Sequence, residues 1–188
     1  MRKHISLELA SEPYKKQRTG GNYMKLKGKV VIVLGDNIDT DLIYPGRFLN
    51  ITDKLETPKH LFEIAYPDLR TKINQGDIII AGSNFGCGSS REQATAAIKY
   101  ANVGAVIAKS FARIFYRNSI NLGLPLIISQ DAAEYVKEMD NIEIDFAEGK
   151  IKNLMSGKDI KAVPLPRQAL ELIEGGGLIP YLRKKYHK

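Results

Sequence analysis

A glycine-rich stretch with two adjacent serines and an arginine carries the residues of this chain that could do chemistry. It runs from Ala81 to Gln93, with the sequence AGSNFGCGSSREQ, and an alanine-rich helical pattern, Ala94 to Ala101, follows it. Glycines let the backbone approach a ligand closely, and a helix N-terminus presents free N–H groups, so the stretch predicts an anion site. Arg91 would add a planar fork of donors that suits a carboxylate, and Ser89 or Ser90 a hydroxyl beside it.

The same residues also admit a purely structural interpretation. Ser89 and Glu92 have the spacing of a capping box, in which the serine caps the helix and the glutamate bonds back. Glycine-rich turns between strands and helices also occur where no ligand binds. The stretch is not a Walker loop, because no Gly-Lys-Ser/Thr follows, and its glycines do not have dinucleotide-fingerprint spacing. From spacing alone, the functional and structural interpretations are evenly balanced.

A second candidate is an acidic turn after a predicted buried strand. The β-branched run Val30 to Leu34 predicts the strand, and Asp36, Asp39 and Asp41 follow it. Asp and Asn in such turns commonly accept hydrogen bonds from loop N–H groups, so spacing favours a structural role. A carboxylate cluster in this position could alternatively bind a metal or orient a catalytic group.

Three segments together resemble a known family. GCGSSREQ, from Gly86 to Gln93, resembles the signature of the swivelling domain of the aconitase superfamily. DNIDTDLIYP, residues 36–45, and AKSFARIFYRN, residues 108–118, resemble its other motifs and stand in the same order. The resemblance extends from about Lys25 to the helical segment after Pro166. As a free-standing chain of this size, the sequence is similar to small subunits of 3-isopropylmalate dehydratase or homoaconitase.

The resemblance implies an α/β fold, the family's compact β/β/α swivelling domain, with a mixed sheet and flanking helices. Residues 25–182 would form that domain, and residues 183–188 a fraying basic tail. We expect residues 1–24 to be a disordered extension, or sequence upstream of a native start at Met24. A hairpin pattern, Ile142 to Phe146 and Lys150 to Leu154, independently predicts that part of the sheet is antiparallel.

Local patterns predict four helices outside the glycine-rich stretch. Pro58 suits the first turn of a helix from Thr57 to Ala65, and Ser110 could cap a short helix with a turn after it. On that helix Arg113 and Arg117 could anchor loops or carboxylates, and we expect structural ion pairing for both. The predicted helices are 57–65, 111–117, 131–139 and 166–173.

The activity that the resemblance implies is isomerisation of 2- and 3-isopropylmalate by dehydration and rehydration, a step of leucine biosynthesis. The family pattern assigns the base to Ser89 or Ser90; position by position, Ser89 is the base and Ser90 a substrate or oxyanion contact. Arg91 would bind the substrate carboxylate, and Asp41 matches the family's active-site aspartate. Removing a proton next to a carboxylate requires both a base and an electrostatic clamp.

The family uses a four-iron–four-sulfur cluster, which several cysteine thiolates hold. This chain has one cysteine, Cys87, so we expect no cofactor and no metal on it. The cluster would lie on a large subunit, with which this chain would form a heterodimer or heterotetramer that acts on a small dicarboxylate or tricarboxylate. Cys87 is then a loop-packing residue.

The triplet Phe48-Leu49-Asn50 is expected to contact the variable arm of the substrate. In similar small subunits a tyrosine-leucine pair is followed by arginine for a carboxylate arm, or by an apolar residue for isopropyl. Asn50 matches neither pattern, whereas Phe48 and Leu49 favour an apolar arm. We therefore expect 3-isopropylmalate, with homoaconitate or another alkylmalate as the rival.

Charge and composition exclude other classes. The net charge is +7, but the first 29 residues hold eight Lys/Arg against two acids and the last six hold four Lys/Arg, so residues 30–182 carry −3. A nucleic-acid partner is therefore not expected. No apolar run is long enough to span a bilayer, and one cysteine suits a cytoplasmic protein. A non-catalytic carboxylate-binding module is the alternative from another functional class.

Overall fold

A computed structural model describes residues 24–186, so the predictions for residues 1–23, 187 and 188 lie outside the described part. Its seven strands are β1 (Lys25–Val33), β2 (Ile78–Ala81), β3 (Ala105–Ala108), β4 (Leu126–Ile128), β5 (Asn141–Asp145), β6 (Lys150–Asn153) and β7 (Asp159–Lys161). Its α-helices are α1 (Thr40–Ile43), α2 (Leu69–Lys72), α3 (Glu92–Tyr100), α4 (Arg113–Leu122), α5 (Ala132–Tyr135), α6 (Arg167–Glu174) and α7 (Leu178–Tyr186). Gly46–Phe48 and Thr57–His60 are 3₁₀ turns.

The strands form one mixed sheet in the order β4-β3-β2-β1-β5-β6-β7. Strands β1 to β4 are parallel, whereas β5, β6 and β7 are antiparallel to their neighbours. Strand β1 belongs to both the parallel and the antiparallel part of the sheet. Its residues 25–29 pair with β5, its residues 30–33 pair with β2, and the register shifts between Val30 and Ile32. The predicted mixed sheet and hairpin are confirmed.

The sheet curls until its two edges meet. Val163, just after β7, donates its N–H to the carbonyl of Ile128 in β4 at 2.7 Å, and the Ser129 hydroxyl donates to the carbonyl of Lys161 at 2.7 Å. A core cluster lies on each side of the parallel strands, because successive side chains of β2 and β3 point to opposite faces. Continuous burial of Ile78–Ala81 and Ala105–Ala108 follows from this two-sided packing.

Several predicted element boundaries are wrong. The segment predicted as a helix over 57–65 is one 3₁₀ turn followed by irregular turns, and α2 was not anticipated. α4 begins two residues later than predicted and continues through Asn118, where a turn was expected. α5 has one turn instead of reaching Met139, and β7 was missed. α7 stays helical through Arg183–Tyr186, where fraying was predicted, and packs on α4 and α6.

Candidate active site

The candidate residues gather at the carboxyl ends of β1, β2 and β3. Because these strands are parallel, the segments that follow them emerge at one edge of the sheet, where α/β proteins commonly bind ligands. The acidic turn follows β1, the glycine-rich stretch follows β2, and Lys109–Ala112 follows β3. The fold thus brings together three sequence segments that lie far apart along the chain.

Backbone hydrogen bonds fasten the glycine-rich loop to the acidic turn. Gly82 N–H donates to Gly35 at 3.0 Å, and Gly86 N–H donates to Ile38 at 2.7 Å. In the opposite direction, Thr40 N–H donates to the carbonyl of Cys87 at 2.9 Å. These bonds fix the loop's position relative to α1, so the predicted site residues of both segments keep a defined mutual arrangement.

Two of the three acids of this turn have structural partners. Asp36 Oδ1 accepts the Ser83 N–H at 2.6 Å, and Asp39 Oδ1 accepts the Leu42 N–H at 2.6 Å as the N-cap of α1. The structural interpretation of Asp36 and Asp39 is therefore confirmed. Asp41 differs from both, because it binds the side chain of Arg91 in addition to a loop N–H.

Asp41 and Arg91 form an ion pair between the first turn of α1 and the end of the glycine-rich loop. Asp41 Oδ1 accepts from Arg91 Nη1 and from the backbone N–H of Gly46, the latter at 3.1 Å. The Arg91 hydrogen bond, aided by its charge and by Gly46, lowers the pKa of Asp41, although desolvation opposes the shift. Asp41 is therefore ionised at neutral pH and suits orientation of a cation better than donation of a proton.

The Arg91 side chain is 16% exposed, so it is largely enclosed but still reachable. A Cβ built on Gly46 would lie 3.5 Å from both terminal nitrogens of Arg91. The guanidinium therefore lies over the turn that leads into residues 48–50. With one donor on Asp41, its remaining donors are available for a planar anion such as a carboxylate.

The predicted capping role of Ser89 is wrong. α3 begins at Glu92, and its N-cap is Arg91, which has extended backbone angles and no side-chain cap bond. The carbonyl of Ser89 accepts the Arg91 N–H at 2.9 Å and the Thr40 hydroxyl at 3.1 Å, which holds this part of the loop away from helical geometry. Ser89 and Ser90 are both exposed beside Arg91 in the chain, so neither hydroxyl is committed to starting the helix.

Gly86 is the tightest point of the loop. Its φ is +78°, and a Cβ there would lie 2.2 Å from the Phe115 ring of α4. Left-handed backbone disfavours side chains, and this overlap involves a packed aromatic ring that cannot easily move. The glycine therefore lets the loop lie directly against α4.

We predict that Gly86→Ala lowers the free energy of unfolding by roughly 2–5 kcal/mol, the sum of a left-handed cost and an overpacking cost. Gly157→Ala is the matched control, because Gly157 has φ +75° and no neighbouring atom within 4 Å of the position that a methyl group would take. The control should lose only about 1–2 kcal/mol. Denaturant unfolding measures both, and equal losses would show that the contact with Phe115 contributes nothing.

The predicted substrate-arm residues differ in their surroundings. The Phe48 ring stacks on His60 with centroids 3.7 Å apart and also lies under the guanidinium of Arg47, 4.6 Å away. Leu49 is half-buried against the core, and its carbonyl accepts from Gln93 Nε2 at 3.3 Å. Asn50 is exposed. Of the three side chains, Asn50 is therefore the most open to a ligand.

Several supporting residues were not identified from the sequence. Gly46 supplies an N–H to Asp41, Gln93 tethers the carbonyl of Leu49, and His60 contacts Glu63 at 2.5 Å beneath Phe48. The i,i+3 spacing of His60 and Glu63 was a usable signal for their contact. The bond from Gly46 to Asp41 is of the kind expected for an acid in such a turn. Nothing in the local sequence indicates the bond from Gln93 to Leu49, because it joins residues 44 apart.

A resident iron–sulfur cluster does not fit the residues of this chain. Cys87 is its single cysteine and is only half-buried, whereas such clusters need several thiolates. Within residues 24–186 there is no group of three or more His, Cys, Asp or Glu side chains arranged to hold a metal ion. The same described residues include no helix that is long and apolar enough to cross a membrane.

Comparisons with known proteins agree with this architecture. The family model described as the aconitase C-terminal domain matches residues 65–131. The chain is 48% identical over 160 residues to the 3-isopropylmalate dehydratase small subunit of Caldanaerobacter subterraneus subsp. tengcongensis, covering 85% of this chain and 99% of that one. It is 51% identical over 151 residues to the 3-isopropylmalate dehydratase small subunit of Moorella thermoacetica, covering 80% of this chain and 91% of that one. A crystal structure of 3-isopropylmalate dehydratase from Methanocaldococcus jannaschii superposes with a TM-score of 0.80 at 45% identity, covering 86% and 95%.

Proposed function

This chain belongs to the family of 3-isopropylmalate dehydratase small subunits, and from that premise we propose how its residues serve the reaction. The chain is part of a hydro-lyase that interconverts 2- and 3-isopropylmalate in leucine biosynthesis. It acts with a large subunit, and the iron–sulfur cluster belongs to that partner. The observation that carries this proposal is the Asp41–Arg91 pair at the junction of the three segments, next to the exposed Ser89-Ser90.

Arg91 binds the carboxylate next to the reacting carbons. Its guanidinium offers a planar fork, and Asp41 holds one of its nitrogens so that the others point in a fixed direction. Prior orientation lowers the entropic cost of binding, because the arginine has fewer conformations to lose. Asp41 is thus a positioning residue, which acts on the substrate through Arg91.

Ser89 is the base that removes the proton next to this carboxylate, and Ser90 contacts the substrate or the developing oxyanion. A serine hydroxyl is weakly acidic, so its ionised form requires nearby positive charge. The Arg91 guanidinium and the free N–H groups at the start of α3 supply such charge close to both serines in the chain. Ser90 as the base remains the alternative, and separate substitution of each serine by alanine distinguishes the two assignments.

The substrate arm is assigned to the segment from Gly46 to Asn50. Its backbone carries the N–H that binds Asp41, so the segment adjoins the carboxylate site directly. Phe48 and Leu49 are partly buried against the core and would form an apolar wall. Exposed Asn50 has no charge with which to pair a distal carboxylate, which supports isopropyl over homoaconitate as the arm.

We predict that Asn50→Arg shifts the ratio of kcat/KM between homoaconitate and 3-isopropylmalate by at least ~10-fold toward homoaconitate. A charge-assisted hydrogen bond contributes ~1.5–3 kcal/mol, and each ~1.4 kcal/mol is a decade. Steady-state kinetics of the reconstituted enzyme with both substrates measures the ratio. Asn141→Arg, at an exposed position of β5, is the control for added charge. An equal loss with both substrates would remove this segment from substrate selection.

Anaerobic reconstitution with the large subunit and a panel of malate analogues tests the function itself. We expect turnover of 3-isopropylmalate to exceed that of analogues with a carboxylate arm. Binding of carboxylates without turnover of any member of the panel would support a non-catalytic module and contradict the proposal.

A further inference from the structure

The exposed side of α4 is a motif region to which the proposed mechanism gives no role. Arg113, Ile114, Arg117 and Asn121 are all exposed, and their helical spacing places them on one side of the helix. The opposite side buries Phe115 and Ser119. We call the surface made by Arg113, Ile114 and Arg117 the α4 face.

The cations of the α4 face have no ion pair with any residue that the structure describes. Within residues 24–186, no carboxylate lies within salt-bridge distance of Arg113 or Arg117, so the structural pairing expected from the sequence is wrong. Arg113 is the first residue of α4, whose first turn contains no acid. A cation is unfavourable at a helix N-terminus, so this arrangement costs stability in the isolated chain. An anionic partner would remove that cost.

Ile114 places an exposed apolar side chain between the two arginines. It is 52% exposed, although Phe115 beside it is 2% exposed in the core. A single exposed isoleucine is ordinary on a protein surface. It is flanked, however, by two arginines that have no ion pair among residues 24–186, and interfaces are enriched in arginine and have a more apolar centre than the rest of the surface.

The N-terminal end of α4 lies against the glycine-rich loop. Ala112 N–H, just before α4, donates to the carbonyl of Phe85 at 2.9 Å, and the Phe85 and Phe115 rings have centroids 5.3 Å apart. Gly86 packs directly against Phe115. Arg113 directly follows Ala112, so a subunit that contacts Arg113 approaches the segment that is hydrogen-bonded to the glycine-rich loop.

A cleft leads from α4 to the segment after the substrate loop. It has a volume of about 320 Å³, and its walls include Asn118 and Asn121 of α4, Gln93 of α3 and Ile51. Gln93 also holds the carbonyl of Leu49. A partner that covers this cleft would shield the substrate loop from water on the side of α4.

We propose that the α4 face is a docking surface for an acidic patch on the large subunit, an inference that rests on the proposed function. Charge complementarity carries the choice of partner, since two arginines that are unpaired within the described part of the chain flank an exposed apolar residue. The position of the start of α4 beside the glycine-rich loop supports the choice, because the cluster-bearing subunit must meet this chain next to Ser89–Arg91. Binding of the partner at this surface would therefore influence the position of the glycine-rich loop.

The test measures the Kd for the large subunit by calorimetry and, separately, kcat at saturating large subunit. We expect Arg113→Glu/Arg117→Glu to raise the Kd by ~10–100-fold at low salt, with a smaller effect at high salt where screening is strong. Saturating partner should restore kcat to near the wild-type value. Lys152→Glu/Lys161→Glu is the charge-matched control, because both lysines are exposed on β6 and β7, and it should leave the Kd near the wild-type value.

Arg113→Gln/Arg117→Gln, which removes charge without reversing it, should give an intermediate Kd and guards against misfolding of the double glutamate variant. An unchanged Kd in both arginine variants would overturn the docking assignment. A wild-type Kd with a lower kcat would also overturn it, since the arginines would then act in the site. Altered self-association with an unchanged Kd would overturn it in favour of a second copy of this chain. Absence of wild-type binding to the large subunit would instead contradict the proposed function.

Discussion

Ser89→Ala should lower kcat of the reconstituted enzyme by ~10²–10⁴-fold, the usual loss when a positioned general base is removed. The same variant should unfold at the wild-type denaturant midpoint. This combination follows from the structure, because α3 begins at Glu92 and Ser89 makes no cap bond to it. If Ser89 capped the helix, its removal would cost ~0.5–2 kcal/mol of stability.

Ser90→Ala separates the two serines. As a substrate or oxyanion contact, Ser90 should contribute ~10²–10³ to kcat, comparable to one oxyanion donor. Ser83→Ala, earlier in the same loop, should retain wild-type turnover and serves as the control. A larger loss for Ser90→Ala than for Ser89→Ala would exchange the two roles. Wild-type kcat in both variants would exclude either serine as the base.

Arg91→Lys should lower kcat/KM by ~10–100-fold for every carboxylate substrate, since a charge-assisted hydrogen bond contributes ~1.5–3 kcal/mol. Lysine keeps the charge but loses the fork, so it cannot contact Asp41 and hold a carboxylate in the same planar geometry. The loss should be equal for isopropylmalate and homoaconitate, because both share the carboxylate that Arg91 holds. Steady-state kinetics with both substrates measures it.

The pair with Asp41 makes this prediction more specific. Asp41→Asn removes the charge that orients Arg91 but leaves the guanidinium, so we expect a smaller loss than in Arg91→Lys. The losses in the double variant should be smaller than the sum of the single losses, because both changes disturb one interaction. Arg167→Lys, at an exposed arginine of α6 that pairs with Glu171, is the control. Additive losses for Asp41 and Arg91 would contradict the positioning role of Asp41.

Strands buried on both faces were predictable from local sequence. Continuous apolar runs indicate β2 and β3 without reference to distant residues. In the same way, the alternating pattern of β5 and the turn after it indicate the hairpin with β6. The resemblance of three motifs added the fold and the candidate site. It could not provide the contact between Asp41 and Arg91, which joins residues fifty positions apart.

The errors arose where tertiary contacts override a local pattern. Ser89-x-x-Glu92 has the spacing of a capping box, but Cys87 and Ser89 bind Thr40, and the helix begins only after Arg91, whose backbone is extended. Ser110 could have capped α4, but its hydroxyl instead accepts the Asn84 N–H at 2.8 Å. Both polar side chains lie where a cap was expected, and the sequence does not indicate the competing partners.

The most direct test of the central claim is to measure iron and turnover in each chain separately and then in the mixture, under anaerobic conditions. Our account predicts that this chain alone has no stoichiometric iron and no dehydratase activity. Mixed with the large subunit it should give turnover of 3-isopropylmalate, with the iron retained by the large subunit. Stoichiometric cluster iron or turnover in the isolated chain would contradict the account.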